Sequence, residues 1–153
     1  MISVLFVCLG NICRSPMAEA VFAHIVQEAG LEDKIKVDSA GTGHWHVGEP
    51  PHSGTSRILR REGIPYSGRA RHLQRSDMDR FDYIITMDRE NERNVNALGT
   101  GKAKVIPLME FAKGTAVKEV PDPYYDGRFE LVFDLVTEAS RGLLETLRRE
   151  HNL

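Results

Sequence analysis

Six residues near the start of the chain, Ile2 to Val7, form a near-continuous apolar run. It leads directly into a polar, glycine-containing segment, Cys8-Leu9-Gly10-Asn11-Ile12-Cys13-Arg14-Ser15-Pro16. An apolar run of that length without alternation marks a strand buried on both faces. Helical spacing takes over from Met17 to Ala29, with Ala18, Val21, Phe22, Ile25 and Val26 on one side. Pro16 suits the first turn of that helix and Gly30 suits its end. A doubly buried strand followed at once by a helix points to a parallel sheet covered by helices.

The rest of the chain repeats this alternation. Lys34 to Ser39 reads as a short strand running into Ala40-Gly41-Thr42-Gly43, and Ser53 to Glu62 as a helix stopped by Gly63-Ile64-Pro65. Tyr83 to Met87 is a third strand, Arg89 to Leu98 a helix closed by Gly99, and Lys104 to Ile106 a fourth strand stopped by Pro107. A long proline-containing loop then extends to Gly127. A final helix of about twenty residues follows, with Leu131, Leu135, Val136, Ala139, Leu143, Leu144 and Leu147 on one face. The expected fold is α/β: one doubly wound domain over residues 1–153, with a four-stranded parallel sheet flanked by helices on both faces. Ligands of such sheets bind beyond the carboxyl ends of the strands. The segments after Val7, Ser39, Met87 and Ile106 are therefore where chemistry is to be sought.

Composition narrows the partners. A net charge of −2 provides no global basic field, so nucleic acid is not an expected partner. Arg57, Arg60 and Arg61, then Arg69, Arg71 and Arg75, form local clusters that read as a solvated face or as attraction for acidic peptides. No apolar run approaches the ~20 residues that span a bilayer, and the N-terminal run lacks the basic leader of a signal sequence. The expected location is cytoplasmic, without membrane attachment, where thiols stay reduced. The two cysteines, Cys8 and Cys13, do not make a zinc pattern, and neither a metal nor a cofactor is expected.

The loop after the first strand carries the chemistry. A glycine-containing turn between a strand and a helix start aims several backbone N–H groups at one point, and the helix N-terminus adds partial positive charge. Such a cradle accepts a tetrahedral oxyanion, and Arg14 adds a planar cationic fork that matches two phosphate oxygens. Cysteines in such fields ionise more readily than free thiols, so Cys8 is the expected nucleophile, attacking phosphorus to form a thiophosphate. Leu9, Gly10, Asn11, Ile12, Cys13, Arg14 and Ser15 are the expected phosphate-binding residues. The Ser15 hydroxyl would support the sulfur, and Asn11 would hold the loop, because asparagine tolerates a left-handed backbone.

The run Val7-Cys8-Leu9-Gly10-Asn11-Ile12-Cys13-Arg14-Ser15-Pro16-Met17-Ala18-Glu19-Ala20 closely resembles the phosphate-binding loop of the low-molecular-weight protein tyrosine phosphatases. The likeness continues in order through Asp38-Ser39-Ala40-Gly41-Thr42, Trp45-His46-Val47-Gly48, Phe81 to Asp88 and Asp122-Pro123-Tyr124-Tyr125. The resemblance implies Cys8 as nucleophile, Arg14 as phosphate clamp, Asp122 as general acid and Ser39 as support for the loop. It also shows a departure: many relatives carry a loop-supporting histidine where this chain has Gly68, which leaves the support of Asn11 open.

The residues around Asp122 agree with that role. A phenolic leaving group has a conjugate-acid pKa of about 10, so protonating it as it departs is valuable. Val120-Pro121-Asp122-Pro123 places the carboxyl in a loop stiffened by two prolines, beyond a strand's carboxyl end. Trp45, Tyr124 and Tyr125 would form aromatic walls that admit a flat ring and disfavour short phosphoserine. The expected reaction is hydrolysis of phosphotyrosine and aryl phosphate monoesters, with a phosphotyrosine-containing protein or peptide as substrate and inorganic phosphate as product. The chain is expected to be a monomer or to self-associate weakly. Cys13 reads either as a redox partner that protects Cys8 through a reversible disulfide or as a small packed residue. An arsenate reductase would need two further cysteines downstream in its thioredoxin-coupled form, and none follows Cys13, while glutathione-coupled forms stay open. Protein-arginine phosphatases carry threonine where Ile12 stands. A non-catalytic phosphopeptide-binding module would use the cradle but not the thiolate and acid.

Overall fold

The computed structural model describes residues 1–153. The opening apolar run forms β1, Ile2–Cys8, and the helical pattern after it forms α1, Arg14–Glu28. β2, Ile35–Gly41, is followed by α2, Ser53–Arg61, and by a single turn, α3, Asp77–Arg80. β3, Tyr83–Thr86, leads to α4, Arg89–Ala97, and then β4, Lys104–Pro107. A 3₁₀ turn at Leu108–Phe111, the short α5 at Pro123–Asp126 and the long α6 at Phe129–His151 complete the chain. No helix is long and apolar enough to cross a membrane.

All four strands are parallel, in the order β2-β1-β3-β4. The chain leaves β1 for β2 on one side and later enters β3 on the other, so the connections diverge at the carboxyl end of β1. That divergence opens a crevice there, and Cys8 is the last residue of the strand. Alternate residues of β1 serve two cores. Val4 and Phe6 join α1 and α6 on one face, while Leu5 and Val7 join Leu73, Met78, Phe81 and Val95 on the other. Phe6 and Phe22 meet edge to face at 5.6 Å. Each fully buried apolar side chain of this kind contributes roughly 1.5–3 kcal/mol, which makes the sheet a rigid platform for the crevice.

The elements differ from the sequence expectations in instructive ways. α1 begins at Arg14, three residues before Met17, so Arg14 and Ser15 belong to its first turn. β2 runs on to Gly41, because it pairs with β1 as far as Cys8. A Cβ on Gly41 would lie 2.8 Å from the Leu9 carbonyl and 3.1 Å from Asn11 Cβ, so glycine lets the loop after β1 pack directly on β2. The long proline-containing loop holds the 3₁₀ turn and α5, both too short for a periodic signal. Leu131 is 36% exposed and does not join the buried face of α6. It lies ~100° round the helix from Val132, at the margin of the stripe that Phe129 and Val132 begin.

Candidate active site

The loop between β1 and α1 turns back on its own strand. Asn11 takes a left-handed conformation, φ 57°, which swings its N–H towards Cys8 Sγ at 3.3 Å. Ser15, one turn into the helix, places Oγ 3.0 Å from the same sulfur. Cys8 is 2% exposed, and its sulfur is held among polar hydrogens although its strand is apolar. Cys13 stands at the N-cap of α1 and caps nothing with its side chain, and the first turn carries no acidic residue. The first N–H groups of the helix are therefore available to an anion.

Arg14 is 2% exposed. Its Nη1 donates to Asp88 Oδ2 at 2.7 Å and to the Val120 carbonyl at 3.0 Å, and Nη2 reaches Asp122 Oδ2 at 3.5 Å. Its buried Nε has no protein acceptor, so one prong of the fork is uncommitted. Burial opposes the charge, but the Cys8 sulfur, the Asp88 hydrogen bond and Asp122 outweigh it and hold the guanidinium above its ordinary pKa. Burial, then the Cys8 and Asp122 charges, push the Cys13 thiol up to about 12.

Asp88 was not singled out in the sequence, yet it links two elements. One oxygen holds Arg14, and the other accepts from Asn91 N–H to cap α4. An aspartate at the carboxyl end of a strand just before a helix start is the signal that would have found it. Asp122 is likewise an N-cap: its Oδ1 accepts from Tyr124 N–H at 3.1 Å and starts α5. That turn aims Tyr124 and Tyr125 at the crevice, with ring centroids 5.3 Å apart.

These groups enclose a cavity of about 230 Å³. Cys8 and Arg14 lie at its buried end, with Leu9, Gly10, Ile12 and Cys13 from the loop. Trp45, Tyr124 and Tyr125 line the open end at 58%, 50% and 77% exposure, with Asp122 between the two ends. His46, also unforeseen, lines the cavity, pairs with Glu49 and stands 3.0 Å from where a Gly10 side chain would begin. Asn11, Ser15 and Ser39 do not line the cavity and instead brace its loop from behind: Asn11 Nδ2 donates to Ser39 Oγ at 3.0 Å and to Ser15 Oγ at 2.8 Å. Gly68 contributes nothing to Asn11. The third hold on that amide is Arg71 N–H, which donates to its Oδ1 at 2.9 Å. Of the clustered arginines, Arg71 bridges Asp38 and Asp77, and Arg61 grips Glu130 at the surface.

Fold and cavity together define an α/β protein whose strand-to-helix turn can hold a tetrahedral oxyanion against a cysteine sulfur. The sequence model of the family described as low molecular weight phosphotyrosine protein phosphatase matches residues 3–153. The chain is 50% identical over 156 residues to the low molecular weight protein-tyrosine-phosphatase YfkJ of Bacillus subtilis, covering 100% of both. It is 47% identical to PtpA of Staphylococcus epidermidis, covering 100% of this chain and 98% of the other. The crystal structure of YfkJ superposes with a TM-score of 0.95, covering 98% of this chain and 96% of that one. A protein tyrosine phosphatase structure from Entamoeba histolytica, 35% identical, reaches 0.92 with both chains fully covered at 100%. The chain belongs to the low molecular weight phosphotyrosine protein phosphatase family, a family of protein-tyrosine-phosphatase enzymes.

Proposed function

We propose that this enzyme hydrolyses phosphotyrosine and other aryl phosphate monoesters through a phosphocysteine formed on Cys8. The observation that carries the reading is the Cys8 sulfur held by Ser15 Oγ and Asn11 N–H at the buried end of a cavity where Arg14 Nε is uncommitted. The phosphate seats on the loop N–H groups from Leu9 to Ser15 and on the Arg14 fork, which hold its three non-bridging oxygens. The Cys8 thiolate attacks phosphorus, and the P–O bond to the ring breaks. Asp122 gives its proton to the departing oxygen. In the second step Asp122, now a carboxylate, takes a proton from water as that water attacks phosphorus. The S–P bond breaks, inorganic phosphate forms, and the thiolate returns to the Ser15 and Asn11 donors.

The aromatic open end supports an aryl substrate presented by a protein or peptide. A ring spans the distance between Trp45, Tyr124 and Tyr125 and the buried sulfur, and a short alkyl phosphate does not. Residues 1–153 would act as one catalytic unit, and the free thiols of Cys8 and Cys13 suit a reducing compartment such as the cytoplasm. Turnover of para-nitrophenyl phosphate by folded, reduced protein tests the reading. Wild type is expected to hydrolyse it, and Cys8→Ser to bind phosphate without turnover. Absence of turnover in wild type, or full turnover in Cys8→Ser, would reject it.

A further inference from the structure

One turn beyond Ser15 on α1, the Glu19 carboxylate is partly buried beside the loop. It lines a separate cavity of about 1020 Å³ that shares no residue with the aromatic-walled one. Its Oε1 accepts from Ser39 Oγ at 2.6 Å and from Tyr66 Oη at 2.7 Å. These bonds fix the direction of a chain that ends at the nucleophile. A carboxylate only accepts, so the Ser39 proton goes to Glu19 and its lone pairs are left for Asn11 Nδ2. Arg71 N–H donates to Asn11 Oδ1, which prevents the amide from flipping. The second Nδ2 proton therefore goes to Ser15 Oγ at 2.8 Å, leaving the single Ser15 proton for Cys8 Sγ at 3.0 Å.

We propose that Tyr66 is a positioning residue for the reaction, its hydroxyl anchoring Glu19 as the terminal acceptor that directs the Ser15 proton to the Cys8 sulfur. Gly68 makes room for this arrangement: a Cβ there would overlap Tyr66 Oη and Cζ. Tyr66 thus occupies the space that the absent side chain leaves, and Gly68 and Tyr66 work as a pair. The inference rests on the reading of Cys8 as nucleophile.

The charges around Glu19 give the idea a pH signature. Burial raises its pKa above the ordinary range, the Ser39 and Tyr66 donors pull it back, Asp38 of β2 raises it and Arg71 lowers it. Arg60 of α2 lines the same cavity. Removing the Tyr66 hydroxyl removes one of the two donors that favour the carboxylate. Glu19 then takes up its proton at higher pH and offers Ser39 a donor in place of an acceptor. The expected results for Tyr66→Phe are a loss of about two- to thirtyfold in kcat and an acid limb of kcat moved to higher pH. The inhibition constant for inorganic phosphate should be unchanged, because no phosphate contact is touched.

In a Glu19→Gln background, where nothing titrates at that site, Tyr66→Phe is expected to leave the acid limb where it was. A purely structural Tyr66 would lower the melting temperature and move neither readout. Tyr66→Leu serves as the second variant should the phenylalanine variant not fold. Wild-type kcat and pH profile in Tyr66→Phe would overturn the proposal, as would a shift that persists in Glu19→Gln. Inactive wild type would instead reject the reading of Cys8.

Discussion

Replacing Asp122 by asparagine separates the proton this residue delivers from the turn it holds. The amide oxygen still accepts from Tyr124 N–H, so α5 and the aromatic wall stay in place. The ion pair between Asp122 and Arg14 Nη2 is long, 3.5 Å, and the buried Arg14 keeps its shorter bonds to Asp88 and the Val120 carbonyl when the Asp122 charge is removed. Folding stability should therefore change little. The chemical step changes greatly, because a phenol of pKa about 10 must now leave unprotonated. General acid catalysis contributes about 10²- to 10⁴-fold, equal to about 3–5 kcal/mol of barrier. The assay is kcat/KM for a series of aryl phosphates with leaving phenols from strongly acidic to ordinary. Wild type should depend weakly on leaving-group acidity, and Asp122→Asn should depend steeply, losing most with the least acidic phenols. Equal slowing across the series would show that Asp122 does not protonate the leaving group.

Two further outcomes follow from the neighbours of the site. Asp88→Ala strips a buried guanidinium of its shortest partner and α4 of its cap. It should cost about 2–4 kcal/mol in chemical denaturation and weaken inhibition by phosphate, and unchanged stability with unchanged phosphate binding would remove Asp88 from the account. Oxidation of Cys8 to a sulfenic acid removes the charge that helps hold the Cys13 thiol up at about 12. Cys13 can then displace water to form the disulfide. Peroxide followed by thiol should restore wild type more fully than Cys13→Ala, and equal recovery would reduce Cys13 to packing.

Much of the site was legible because its parts lie together in the chain. Cys8, Asn11, Arg14 and Ser15 fall within one strand-to-helix turn, where local backbone geometry decides the chemistry, and the doubly apolar strands fix the sheet around it. What the sequence concealed depends on tertiary approach. Asp88 looks like a surface cap ahead of α4, and Glu19 like a surface acid on α1, until the fold brings Arg14 of α1 to the first and Ser39 of β2 to the second. Tyr66 follows a proline in an aperiodic segment, and only the space above Gly68 shows where its hydroxyl goes. The end of the proline-containing loop carried no period, yet Asp122 organises it through a single capping bond. Leu131 failed for the opposite reason: its spacing was helical, but the face it extends runs beyond what α1, α2 and the 3₁₀ turn cover.

The central claim is a covalent bond between phosphorus and the Cys8 sulfur. Rapid acid quenching of enzyme mixed with an aryl phosphate, followed by peptide mapping and phosphorus NMR, tests it directly. One phosphoryl group should be found on the peptide carrying Cys8, with a thiophosphate resonance, and it should accumulate further in Asp122→Asn given a highly acidic leaving group, where only the second step still needs the carboxylate. A phosphoryl group on any other residue, or release of phosphate with no protein-bound phosphorus during turnover, would contradict the account.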